Sequence, residues 1–255
     1  MALLRVRERP GPVRVVALLL HGGAAQSDRP GGDRGFAALR MRTFERDLAR
    51  LGGVATALIS YRERGWNGGD RVDDVRAAVA TARARWPGVP IVLVGHSMGG
   101  RAALRAAGEG GVVAVVSLAG WLPADEPIEQ VAGRTLVLAH GDRDRVTAPD
   151  GSRLYAKRAR PVAAHVEHVT VAGAGHRLIR RSRRWHELVR EVVVSSAQDR
   201  SGVVPDLDAG ARREHGEDDR HGDPRDPTDA RAKGLRQTLE GDQGAADEDN
   251  PGQHR

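Results

Sequence analysis

The chain contains no cysteine, which excludes disulfides, thiolate metal ligands and a cysteine nucleophile. Aromatic residues make up 3% of its 255 positions, too few to interleave a basic surface with base-stacking platforms. Lysine occurs twice against 38 arginines. The arginines are scattered along the chain and dense only from Arg177 to Arg184, the pattern of a compositional bias, so no nucleic-acid partner is expected. Long apolar runs are also missing. The longest aliphatic stretch, Val15 to Leu20, falls far short of the roughly 20 residues a membrane span needs. Arg5, Arg7 and Arg9 interrupt the start, where a signal peptide would carry its apolar core. A soluble cytoplasmic protein with no membrane partner is expected.

What is present divides in two. From Ala197 to Arg255 there are 9 basic and 15 acidic residues, a balance of −6. Met1 to Ser196 holds 31 basic and 19 acidic residues, a balance of +12. The later segment has no sustained apolar periodicity and is rich in Gly, Asp, Arg and Pro, as in Asp223-Pro224-Arg225-Asp226-Pro227. Such a stretch buries too little apolar surface to offset its ordering entropy. The expected organisation is one folded domain, 1–196, followed by a disordered acidic polar tail, 197–255.

Within the first segment, short aliphatic runs alternate with amphipathic ones. Strands are predicted at 2–7, 14–20, 54–61, 91–94, 112–118, 135–139 and 165–171. Helices are predicted at 38–51, 70–86, 98–107, 151–160 and 182–194, several closed by glycine or proline signals such as Gly52-Gly53 and Pro87-Gly88. Strands apolar on both faces, alternating with helices, form a mainly parallel, doubly wound α/β sheet of about seven strands flanked by helices. In such sheets ligands bind at the carboxyl ends of the strands.

Those ends carry the chemistry. After the strand at 91–94 comes Gly95-His96-Ser97-Met98-Gly99, a G-x-S-x-G pattern between a strand and a helix. That is the context of a nucleophile elbow, whose strained turn exposes the serine hydroxyl. Ser97 also lies at a helix N-terminus, where backbone N–H groups favour developing negative charge. The strand at 135–139 leads into His140-Gly141-Asp142-Arg143-Asp144, and the one at 165–171 into Gly173-Ala174-Gly175-His176. An acid and then a histidine follow the serine by 47 and a further 32 residues. Hydroxyl, base and carboxylate are the parts of a nucleophilic triad: the base takes the serine proton and the carboxylate fixes the imidazole.

The order Ser…Asp…His at three strand ends resembles the α/β-hydrolases, and the likeness spans nearly all of 1–196. The resemblance implies Ser97, Asp144 and His176 as the catalytic residues. It favours Asp144 over Asp142, because the family's acid lies three residues beyond the glycine of an H-G-x-x-D motif; Asp142 is the alternative. It also implies an oxyanion hole from the backbone amides of Gly23, in the turn His21-Gly22-Gly23, and of Met98. The stretch Arg64-Gly65-Trp66-Asn67-Gly68 resembles one that many members place after a strand, so Trp66 either lines the substrate pocket or anchors its loop. His96 and His140 are read as structural, His140 as shaping the acid loop. His165 and His168 lack a carboxylate cluster, so no metal and no cofactor are expected.

One departure shapes the substrate. Only 119–134 separates the strands between which many members insert a helical cap, too little for a lid, with Trp121 and Leu122 flanking the mouth. The expected function is hydrolysis of small carboxylic esters, thioesters or lactones through an acyl-enzyme on Ser97. Acyl transfer or a perhydrolase reaction on the same fold is an alternative, as is a non-catalytic binding protein of this fold. The expected partner is a small ester-type substrate; the oligomeric state is left open.

Overall fold

The computed structural model describes residues 3–31 and 35–198. The tail expected from 197 onward lies, from 199, outside the described residues.

Seven strands form one sheet: β1 (Leu3–Arg7), β2 (Val15–Leu20), β3 (Val54–Ser60), β4 (Ile91–His96), β5 (Val112–Leu118), β6 (Thr135–Gly141) and β7 (His165–Val171). Their order is β1-β3-β2-β4-β5-β6-β7. Only β1 runs antiparallel, against β3; the other pairs are parallel. Five helices complete the α/β architecture: α1 (Phe36–Leu48), α2 (Asp70–Arg85), α3 (Met98–Arg105), α4 (Pro149–Ala159) and α5 (Ser182–Gln198).

The unbroken apolar runs explain why both faces are covered. Along β2 every residue is buried. Val16, Leu18 and Leu20 pack with Val75 of α2, Leu104 of α3 and Tyr155 of α4. The alternate residues Val15, Ala17 and Leu19 pack with Phe44 of α1 and with Trp185 and Leu188 of α5. The period-2 alternation of a strand therefore feeds two separate cores.

Many boundaries differ from the sequence reading by one to four residues, and three of them show why. Helix α1 ends at Leu48, three residues short of 51, because the chain tightens into i→i+3 bonds from Arg50 to Asp47 and from Leu51 to Leu48. Strand β4 continues past its apolar run through Gly95 and His96, which pair with Ser117 and Leu118 of β5. Helix α5 runs to Gln198, four residues past the predicted 194, with Ser195 and Ser196 buried. In each case backbone hydrogen bonding, not hydrophobicity, sets the end. The arginine run 177–184 is divided between a loop and the first turn of α5, where Arg183 pairs with Glu187 at 2.7 Å.

Trp185 is the largest wholly buried side chain, and its indole N–H donates to the Arg180 carbonyl at 3.1 Å. Trp185→Ala is expected to destabilise the fold by about 3–5 kcal/mol. Urea unfolding followed by circular dichroism checks this, and a loss below about 1 kcal/mol would show that α5 does not close the core.

Candidate active site

Four loops at the carboxyl edge of the sheet build the site, following β2, β4, β6 and β7. After β4 the chain turns sharply at Ser97, which has φ 57° and ψ −120° and heads α3. Such a conformation is costly for a residue with a Cβ and persists only where its surroundings enforce it. Here the Ser97 amide donates to the Leu118 carbonyl at 3.0 Å, while its own carbonyl accepts from Gly100, Arg101 and Trp121. The flanking glycines are steric necessities. A Cβ on Gly95 would overlap the Gly99 carbonyl, and one on Gly99 would overlap that of Leu20.

The loop after β6 supplies Asp144, whose carboxylate is sealed from solvent. Its Oδ1 accepts from the amides of Val146 (2.8 Å) and Thr147 (3.0 Å). Its Oδ2 accepts Nδ1–H of His176 at 2.8 Å and Nε2–H of His140 at 3.1 Å. A carboxylate only accepts, so these contacts fix the tautomer of both rings. The Thr147 hydroxyl lies 3.0 Å from Oδ2 and 3.1 Å from His176 Nδ1, and Nδ1 of His140 accepts from the Ser152 hydroxyl at 2.7 Å. Burial alone would raise the Asp144 carboxyl. The two amides and then His176 outweigh it and hold the group below the usual carboxylate range. Asp142 does not reach His176; it accepts from the Gly173 amide at 2.7 Å, as a turn cap.

His176 sits beside the elbow. Its carbonyl accepts Nε2–H of His96 at 2.8 Å, and the two rings lie 4.9 Å apart. Among the described residues the Ser97 hydroxyl carries no hydrogen bond, to His176 or to any other group. On the other side, Gly23 lies against Met98: a Cβ there would come within 2.7 Å of the Met98 sulfur. Neither the Gly23 nor the Met98 amide has an acceptor among the described residues.

Trp66 and Trp121 meet edge to face, with ring centroids 6.2 Å apart. The Trp66 amide donates to the Ala24 carbonyl at 2.9 Å, next to Gly23. Its loop is held by the buried pair Arg71 and Asp74. Arg101 lies in the angle between the two indoles and pairs with the buried Glu126 at 2.6 Å. Thr147, Arg101 and Glu126 carried no motif in the sequence. The one available signal was that Arg101 follows Ser97 by one helical turn.

Among the described residues no three ligand-type side chains gather as a metal site, and no helix is long and apolar enough to cross a membrane. A groove of about 1670 Å³ lies at the opposite edge of the sheet, lined by Arg14, Trp86, Val113 and Arg134, without any histidine or carboxylate. The chemistry is elsewhere.

Three histidines are held neutral by the fold. Burial, and then the neighbouring His176, pushes His96 down to about 3, and burial likewise lowers His140 and His168. In the unfolded chain histidine protonates near ~6.5. The stability these neutral rings contribute is therefore full above that pH and is lost as the pH falls below it, for His96 toward about 3. Urea midpoints should drop from pH 6.5 to 4, and His96→Gln should flatten that slope. Parallel pH profiles for variant and wild type would contradict it.

Residues 62–134 match the family model of the serine aminopeptidases, S33, a segment that contains Ser97 but ends before Asp144 and His176. No curated protein matches the chain significantly. Among solved structures, Est1E from Butyrivibrio proteoclasticus with ferulic acid bound is 15% identical, with a TM-score of 0.60 over 78% of this chain and 96% of that one. A lidless α/β serine hydrolase from Xanthomonas campestris is 19% identical, with a TM-score of 0.58 over 77% and 88%. A dienelactone hydrolase from Anabaena variabilis is 20% identical, with a TM-score of 0.57 over 74% and 89%. With sixteen residues and no helical lid between β5 and β6, the fold of the chain is that of the α/β-hydrolases.

Proposed function

We propose that the chain is a serine hydrolase that cleaves small carboxylic esters, thioesters or lactones through an acyl-enzyme on Ser97. The observation that carries this reading is the bonded pair Asp144–His176, tied through His96 to the strained turn bearing Ser97. Ser97 Oγ attacks the carbonyl carbon while His176 Nε2 takes its proton. The C–O or C–S bond to the leaving group then breaks, and His176 returns the proton to the departing oxygen or sulfur. Water repeats the sequence in reverse and frees the acid. Asp144 keeps Nδ1–H pointing at itself and stabilises the imidazolium. The amides of Gly23 and Met98 receive the developing oxyanion, each donor worth on the order of 3 kcal/mol in the barrier. None of these steps calls for a cofactor.

The short β5–β6 connection leaves the nucleophile without a lid, which favours small substrates over long acyl chains. Structural relatives described as a monoacylglycerol lipase and a dienelactone hydrolase agree with an ester or lactone carbonyl.

Ser97→Ala is expected to lower turnover of p-nitrophenyl acetate by about 10³-fold or more and to abolish labelling by a fluorophosphonate probe, with the circular dichroism spectrum unchanged. Full activity in that variant would remove Ser97 from the mechanism.

A further inference from the structure

Arg101 is held in a way that a purely structural arginine does not require. Its Cζ lies 4.3 Å from the Trp66 ring centre and 4.8 Å from that of Trp121, and its Nε donates to Glu126. Only 12% of the side chain remains exposed. A cation buried so far ordinarily has its N–H groups satisfied by protein. Yet Nη1 and Nη2 have no hydrogen-bond acceptor among the described residues, and neither is closed off from solvent. Glu126, wholly buried, is also shared with Arg105. Two guanidinium groups on one carboxylate leave a surplus positive charge.

The position of this charge matters as much as its sign. Arg101 follows Ser97 by one turn of α3, about 6 Å along the axis. Both indoles are fastened to the site: the Trp121 amide donates to the Ser97 carbonyl at 3.2 Å, and the Trp66 amide to Ala24, beside Gly23. The rings strip water from the guanidinium, and Glu126 fixes its rotation. A planar fork so prepared loses little entropy when it takes a planar anion through two parallel hydrogen bonds.

We propose that Arg101, set in the corner of Trp66 and Trp121, binds a carboxylate of the substrate, so that the ester or lactone attacked by Ser97 is itself an acid anion. This rests on the serine-hydrolase reading above for the reaction, but not for the binding. Arg101 acts as a specificity residue: it touches the substrate away from the reacting carbonyl.

A matched pair of esters tests it. Mono-p-nitrophenyl glutarate and its methyl ester share one acyl shape and differ in charge. The wild-type protein should favour the acid by about 10- to 100-fold in kcat/KM, the range of one charged hydrogen-bonded contact. Arg101→Gln should bring that ratio close to one and Arg101→Lys should give an intermediate value, with the loss falling on KM. A wild-type ratio near one, or an unchanged ratio in a folded Arg101→Gln protein, overturns the proposal and leaves Arg101 as a pin for the 121–128 loop.

Binding is also read without turnover. Ser97→Ala protein titrated with monomethyl glutarate should show a saturable change in tryptophan fluorescence that dimethyl glutarate does not produce. Equal responses to both, or none at millimolar ligand, count against Arg101 even if the substitutions unfold the chain. Failure of fluorophosphonate labelling with a positive titration would sink the hydrolase reading and spare the anion site.

Discussion

The site depends on one buried carboxylate. Asp144 is the point where the loop after β6, the loop after β7 and the start of the segment leading to α4 are joined. It accepts from two backbone amides and two imidazoles, with the Thr147 hydroxyl alongside. An ionised group so deep is tolerated only because those donors replace its water. The same donors set its distance to His176 and the tautomer of that ring. His140, reaching back to Ser152 at the first turn of α4, ties the arrangement to a helix. A flexible surface loop is thereby given the rigidity of the elements beneath it.

Much of the fold was legible in the amino-acid pattern because this sheet is covered on both sides. Val15–Leu20 is apolar throughout and Val112–Leu118 is broken only by Ser117, and glycine or proline marks most helix ends. The strand ends followed, and with them the places of Ser97, Asp144 and His176 in the loops after β4, β6 and β7, since each follows the termination of an apolar run. What escaped was whatever depends on contacts far apart in sequence. Glu126 lies in an irregular stretch between Pro123 and Pro127, and nothing local betrays that Arg101 and Arg105 converge on it. Likewise Thr147 comes to lie between Asp144 and His176 only when the loop after β7 delivers His176. His96 was read as structural, but its partner, the main-chain oxygen of His176 eighty positions away, could not be read from the pattern.

The two faces of the sheet support the carboxyl edge in different ways. On the α1–α5 side, Ala174 and Leu178 are buried in the core that contains Trp185, so His176 rides on the packing of the last helix. On the side of α2, α3 and α4, the β5–β6 connection is drawn down by Arg101, Arg105 and Arg158, the last donating to the carbonyls of Ala124 and Glu126. The sixteen residues of this connection are fastened by charged hydrogen bonds. The result is a fixed wall of indole and guanidinium beside Ser97.

The bond from the His96 ring to the main-chain oxygen of His176 spans 80 positions and ignores the identity of the side chain at 176. It ties the tip of one loop to the base of another, so the pair behaves as a single exchangeable module split across the chain. Transplanting the β7–α5 connection from a homologue that lacks a ring at the corresponding elbow position would bring the imidazole but not its anchorage. Recombination between members of this fold should therefore respect that linkage, and loop grafts that succeed should carry both halves together.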